Sequence, residues 1–244
     1  MKSRNHIGGG MLICGLSRLT LLDYPEHVGA TIFTGGCNFR CPFCQNGDLV
    51  LDPASQERIP EEEILDFLKD RKGRLEGVCI TGGEPTLQPD LESFICKIKE
   101  MGYLVKLDSN GYRPDVIKKL LNAGYLDYIA MDIKNSLTHY GETAGVGEMD
   151  DFAKKTISES IGLIMNSGIE YEFRTTVVKE LHSEADFREI AEMISGARAY
   201  YLQNYRESDA VIKKGFHGFT KEELEHFVSI IKPSVQKIGI RGVD

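Results

Sequence analysis

Thr34-Gly-Gly-Cys-Asn-Phe-Arg-Cys-Pro-Phe-Cys44 is the stretch on which the reading of this chain turns. It sets Cys37, Cys41 and Cys44 on one short loop, directly after an apolar, β-branched run at residues 28–34. Three thiolates so placed can each bind one iron of a four-iron cubane, which leaves the fourth iron open to an outside ligand. The competing reading is a structural zinc ion completed by Cys14, Cys79 or a His, although no second Cys or His pair has the matching spacing. Cys14, Cys79 and Cys96 are scattered and read as background. In a reducing compartment a clustered triplet is more often metal-binding than disulfide-bonded.

Outward from that loop, short β-rich runs alternate with amphipathic stretches. The runs fall at residues 28–34, 77–81, 104–108, 128–133, 171–178 and 199–204, with a short terminal strand at 238–240. Apolar residues at helical spacing, such as Val116, Ile117, Leu120 and Leu121, lie between them. Thr220 and Glu223 read as a capping box opening a last helix. Such alternation implies parallel strands joined by right-handed crossovers. Six units are too few for a closed eight-unit barrel, so the expected fold is α/β, an open partial (β/α)6 TIM-like barrel. The division expected is an N-terminal extension over residues 1–15 and a catalytic domain over 16–244.

In open α/β sheets ligands bind beyond the carboxyl ends of the strands. Those ends are polar and glycine-rich here: Gly82-Gly83-Glu84, Asp108-Ser109-Asn110-Gly111, Asp132-Ile133-Lys134, Arg174-Thr175-Thr176 and Gln203-Asn204-Tyr205. They are expected to meet the cysteine loop on one face. Gly82 and Gly83 would let the backbone approach a ligand or simply make a tight turn. Arg174 would point either into the site or out to solvent.

The chain has 244 residues, 41% of them hydrophobic and 27% charged, with a net charge of −8. The acidic balance argues against a generic nucleic-acid or anionic-membrane surface. No apolar run approaches the roughly 20 residues that span a bilayer, and the start does not read as a signal peptide. The expected address is the cytoplasm.

The Cys-x-x-x-Cys-x-x-Cys loop, with Phe43 before its third cysteine, and the Gly82-Gly83-Glu84 segment resemble the two motifs of the radical S-adenosylmethionine enzymes. Within them, Leu22-Asp-Tyr-Pro25, Cys44-Gln-Asn46, Asp108-Ser-Asn-Gly111 and Met131-Asp-Ile-Lys134 look most like the activating proteins of glycyl-radical enzymes, above all of anaerobic ribonucleoside-triphosphate reductase. Two positions depart from that pattern: Gln45 where a His is common, and Ser109 where a Thr is common. The resemblance implies a [4Fe-4S] cluster on Cys37, Cys41 and Cys44, with S-adenosylmethionine chelated at the open iron. Its cleavage would furnish a 5′-deoxyadenosyl radical that takes a hydrogen atom. By the same resemblance Glu84 would accept from the methionyl ammonium or hold its loop, and Lys134 would touch the carboxylate. Asn110 would meet the ribose, unless it only forms a turn. An inward Arg174 would meet the ribose or carboxylate, and Gln203 and Tyr205 the adenine or substrate loop. Asp108, Ser109 and Asp132 would hold a monovalent cation, unless Asp132 pairs with Lys134. The implied partners are a glycyl-radical protein and a reducing donor such as flavodoxin or ferredoxin. Alternatives are a pyruvate formate-lyase activase, a small-molecule enzyme such as a carboxy-deazaguanine synthase, and a non-enzymatic iron–sulfur or zinc module.

Overall fold

Eight strands build one sheet in chain order: β1 (Ile13–Thr20), β2 (Gly29–Thr34), β3 (Gly77–Gly82), β4 (Leu104–Ser109), β5 (Tyr128–Asp132), β6 (Glu170–Val177), β7 (Ala197–Asn204) and β8 (Val235–Arg241). The computed structural model describes residues 10–243, so most of the expected N-terminal extension, residues 1–9, lies outside the described residues. β1 runs antiparallel to β2, and every later pair is parallel. β1 and β8 are the two ends of the order, so the sheet stays open. The helices are α1 (Gly47–Leu51), α2 (Glu61–Asp70), α3 (Leu91–Glu100), α4 (Pro114–Asn122), α5 (Tyr140–Thr143), α6 (Asp151–Met165), α7 (Glu184–Met193) and α8 (Lys221–Ile231). Pairing β2 with α2, β3 with α3, β4 with α4, β5 with α6, β6 with α7 and β7 with α8 gives the six expected units. Among the described residues no helix is long and apolar enough to cross a membrane.

β2 to β7 are largely buried on both faces, as parallel strands inside an α/β sheet must be. Ile32, Ile80, Leu107, Ile129, Phe173 and Leu202 are fully buried, and so are Ile64, Phe94, Ile117, Ile157 and Ile190 on the helices above them. Each such side chain contributes about 1.5–3 kcal/mol relative to exposure. Capping fixes where helices begin: Ser183 with Asp186, and Thr220 with Glu223, close reciprocal boxes. β1 was not legible because it is a partly exposed edge without an apolar run. β8 is longer than the expected 238–240, for the same reason.

Register explains why the strand-end motifs meet. Thr34 pairs with Gly82, Ser109 with Met131, Asp132 with Arg174 and Thr176 with Gln203. The loop after β5 is then tied to the connection between β6 and α7. Asn135 Nδ2 donates to the Leu181 carbonyl at 2.8 Å, and Ser136 Oγ donates to Asp186 Oδ1 at 2.6 Å. Asp186 also accepts from the Ser183 amide and hydroxyl and contacts His139 Nδ1 at 2.7 Å. Burial opposes ionisation of Asp186, but the hydrogen bonds from His139, Ser136 and Ser183 hold its pKa at about 2.

A carboxyl depressed on folding stabilises above its unfolded pKa and loses that contribution as pH falls through the folded value. Asp186→Asn is therefore expected to cost about 1–3 kcal/mol at neutral pH. In denaturant melts the gap to wild type should narrow between about pH 4 and pH 2. A gap constant through that range would contradict the assignment.

Candidate active site

At the carboxyl ends of the strands a single cavity is lined by Cys37, Cys41 and Cys44 together with Gly82, Gly83, Glu84, Asp108, Ser109, Asn110, Asp132, Lys134, Arg174 and Gln203. Of the residues singled out in the sequence as metal or cofactor contacts, all but Tyr205 thus reach one space. Phe39 and Phe43 line it as well, both buried. Tyr205 does not; it packs edge-on against Phe43 behind the loop, with ring centroids 6.5 Å apart. The cysteine loop is held on several sides. Gln88 Nε2 donates to the Gly35 carbonyl and Asn46 Nδ2 to the Gly82 carbonyl, each at 2.8 Å. Gln45 reaches the loop after β7, donating to the Arg206 carbonyl at 2.7 Å and accepting from Ser208 Oγ at 2.5 Å.

The two glycines serve close packing of backbone on backbone. The Gly83 N–H donates to the Thr34 carbonyl and the Glu84 N–H to the Gly36 carbonyl, both at 2.8 Å. A Cβ on Gly83 would lie 2.0 Å from the Gly36 oxygen; one on Gly82, whose φ is +116°, would lie 2.4 Å from Thr34 backbone atoms. Glu84 holds its loop. Its buried carboxylate accepts from the Thr86 amide and hydroxyl, from Ser109 Oγ at 2.9 Å and from the Asn110 amide at 2.7 Å. Burial pushes its pKa up against those hydrogen bonds. Asn110 forms a turn, accepting from the Tyr112 N–H, while its Nδ2 donates to Asn38 Oδ1 at 2.8 Å.

Inside the barrel, charges alternate across neighbouring strands. Arg174 points inward, with Nε 2.9 Å from Asp132 and Nη1 3.3 Å from Asp108. Lys134 pairs with Asp132 at 3.0 Å, and Lys106 with Asp108. Burial opposes ionisation of both carboxyls, yet Arg174 with Lys134, and Arg174 with Lys106, hold them below the usual range. All four carboxylate oxygens therefore accept from a Lys or Arg, and a monovalent cation or a ligand ammonium there would share an oxygen that already holds one. Glu172, fully buried, takes both arms of Arg241 at 2.8 Å and the Tyr128 hydroxyl at 3.0 Å. Sequence reasoning passed over Lys106 and Glu172. Their signal was available, since each stands two residues before Asp108 or Arg174 and strand alternation puts such pairs on one face.

The donor set suits an iron–sulfur cluster. Cys37, Cys41 and Cys44 all line one cavity, and among the described residues that line it there is no His and no fourth Cys to close a tetrahedral zinc site. Burial pushes the Cys37 thiol up, and the Phe39 N–H, 3.3 Å from its Sγ, works against that. Burial pushes the Cys41 thiol up to about 12, with the Lys134 ammonium working against it.

Gly83→Ala is expected to lower stability by about 1–3 kcal/mol, because the clash is with backbone that cannot step aside. Gly162→Ala, on α6 with open space around it, should be neutral or stabilising by up to about 1 kcal/mol. Equal melting temperatures for the two variants would show that the strand ends are not packed this closely.

Residues 31–194 match the family model of the Radical SAM superfamily. Over 239 residues the chain is 32% identical to a Methanocaldococcus jannaschii protein provisionally named a glycyl-radical enzyme activating enzyme, covering 96% of this chain and 97% of that one. It is 28% identical over 175 residues to a Helicobacter pylori GTP 3',8-cyclase, covering 70% of this chain and 51% of that one. In fold it is similar to a radical SAM methyltransferase from Sphaerobacter thermophilus, with a TM-score of 0.69 at 14% identity over 91% of this chain and 68% of that one. A cysteine triplet in a strand-end cavity and a family match over two-thirds of the chain lead to one statement: the chain belongs to the radical S-adenosylmethionine superfamily and is an enzyme of that family.

Proposed function

We propose that this enzyme generates a glycyl radical on a partner protein, most consistently an anaerobic ribonucleoside-triphosphate reductase. One observation carries the reading. The three thiols and the polar ends of β3 to β7 share a single cavity in a chain that matches a provisionally named activase over nearly its whole length. When bound, the [4Fe-4S] cluster supplies an electron and S-adenosylmethionine supplies the radical that removes hydrogen from the partner's glycine. The reading calls for a low-potential donor such as flavodoxin or ferredoxin and for a reducing compartment, the cytoplasm.

The chain's own residues bind and orient. Cys37, Cys41 and Cys44 hold the cluster, and because burial keeps Cys41 protonated, its ligation must release a proton. Lys134, at the cavity wall, meets the methionyl carboxylate as a point charge. Asp132, held ionised by Arg174 and Lys134, accepts from the methionyl ammonium. Glu84 acts at one remove by fixing the Ser109–Asn110 backbone. Arg174 and Gln203 line the side toward the ribose and adenine. Phe39 and Phe43 exclude water around the cluster.

Anaerobic reconstitution is expected to give about four irons per chain, and Cys41→Ala to lose most of them together with release of 5′-deoxyadenosine. A variant retaining full iron would refute the ligand assignment. Mixed with reductant, S-adenosylmethionine and an anaerobic ribonucleotide reductase, the enzyme should produce a glycyl radical signal by electron paramagnetic resonance. If 5′-deoxyadenosine is released but no glycyl-radical protein acquires the signal, the activase reading falls and a small-molecule substrate takes its place.

A further inference from the structure

The loop that carries Lys134 is held from behind by a buried imidazole with no part in the cavity. His182 is 5% exposed and lies in the connection between β6 and α7. Both of its ring nitrogens have backbone partners. The Lys134 carbonyl, 2.9 Å from Nε2, can only accept, so Nε2 carries the proton. Nδ1 lies 3.1 Å from the Val178 N–H and 3.2 Å from the Val178 carbonyl; that carbonyl already accepts the His182 backbone N–H at 3.0 Å, and with the proton on Nε2 the Nδ1 lone pair accepts from the Val178 N–H. The ring stacks on Phe187, with centroids 5.9 Å apart and planes at 18°. Burial pushes its pKa down, in keeping with a neutral ring.

The bond to Lys134 fills a specific need. The last ladder bond beside β5 runs from the Ile133 N–H to the Arg174 carbonyl. Beyond it the chain leaves the sheet, and the Lys134 carbonyl has no strand partner. A buried carbonyl without a donor is costly, so the side chain that supplies one fixes the local backbone. On the cavity side of the same residue, the Lys134 ammonium holds Asp132. Asn135 is anchored to the same connection and Ser136 to the first turn of α7, but neither lines the cavity.

We propose that His182 is a positioning residue for S-adenosylmethionine: its Nε2–H sets the Lys134 backbone and so aims the Lys134 ammonium and Asp132 carboxylate at the methionyl end of the cofactor. This rests on the reading of Lys134 given under the proposed function. His182 touches neither cluster nor cofactor and acts through Lys134 alone.

The experiment uses the reconstituted holoenzyme and reads S-adenosylmethionine affinity from the change it causes in the reduced cluster's paramagnetic resonance signal. His182→Phe keeps the ring and its stack but removes the donor; His182→Gln restores an N–H. His182→Phe is expected to weaken affinity by about tenfold, to raise KM more than it lowers kcat, and to leave iron content unchanged. His182→Gln should recover most of the loss, and thermal melts of both variants record any fall in stability separately. In the double variant with Lys134→Gln, His182→Phe should add little beyond Lys134→Gln alone, because the two act as one unit. Wild-type affinity in a folded His182→Phe variant while Lys134→Gln weakens binding would overturn the inference alone, as would fully additive losses. Wild-type affinity in Lys134→Gln would instead overturn the reading of Lys134.

Discussion

The backbone contact between the ends of β2 and β3 is the constraint on which the site depends. Two amide hydrogen bonds, Gly83 to Thr34 and Glu84 to Gly36, bring the strand ends within the closeness that only glycine allows. The cysteine loop leaves directly from this contact, so its direction is set by strand register rather than by its own sequence. Glu84 then carries the constraint one strand further, because its buried carboxylate gathers Ser109 and the Asn110 amide from the end of β4. Asn110 returns to Asn38 inside the cysteine loop and closes the circuit. The second motif is thus foremost a brace for the first.

A chain of alternating charges does for the barrel interior what the backbone does for its rim. Lys134, Asp132, Arg174, Asp108 and Lys106 lie on three neighbouring strands and the loop after one of them, and each carboxylate sits between two cations. Taking these groups from water is costly, and only mutual pairing with full hydrogen bonding offsets it. Arg174 is the member both carboxylates share, whereas Asp132 without Lys134, or Asp108 without Lys106, would still hold Arg174. The network is therefore a rigid electrostatic floor of the cavity.

Much of this was legible in the sequence, because the signals were local. The Cys37–Cys41–Cys44 spacing, the polar strand ends and the strand–helix alternation each lie within a few residues, and parallel topology converts them into one face. What escaped notice was either unpatterned or long-range. β1 is a partly exposed edge without an apolar run. The turn reading of Gly82 and Gly83 and the loop reading of Glu84 were open alternatives that only the packed backbone could decide. His182 finds Lys134 48 residues away and nothing in its neighbourhood marks it, while Asp186, marked locally only by its capping box with Ser183, also reaches Ser136 50 residues away. Gln45, a departure from the family pattern, turns out to latch the cysteine loop to the segment after β7.

The central claim is that three protein thiols leave one iron open beside a preformed binding wall. The most direct test is the paramagnetic resonance spectrum of the anaerobically reconstituted, reduced enzyme, recorded with and without S-adenosylmethionine. A four-iron signal whose g-values shift on adding S-adenosylmethionine is the predicted result, because the ligand enters the coordination sphere of the open iron. A reconstituted cluster whose signal is unchanged at saturating S-adenosylmethionine would contradict the account.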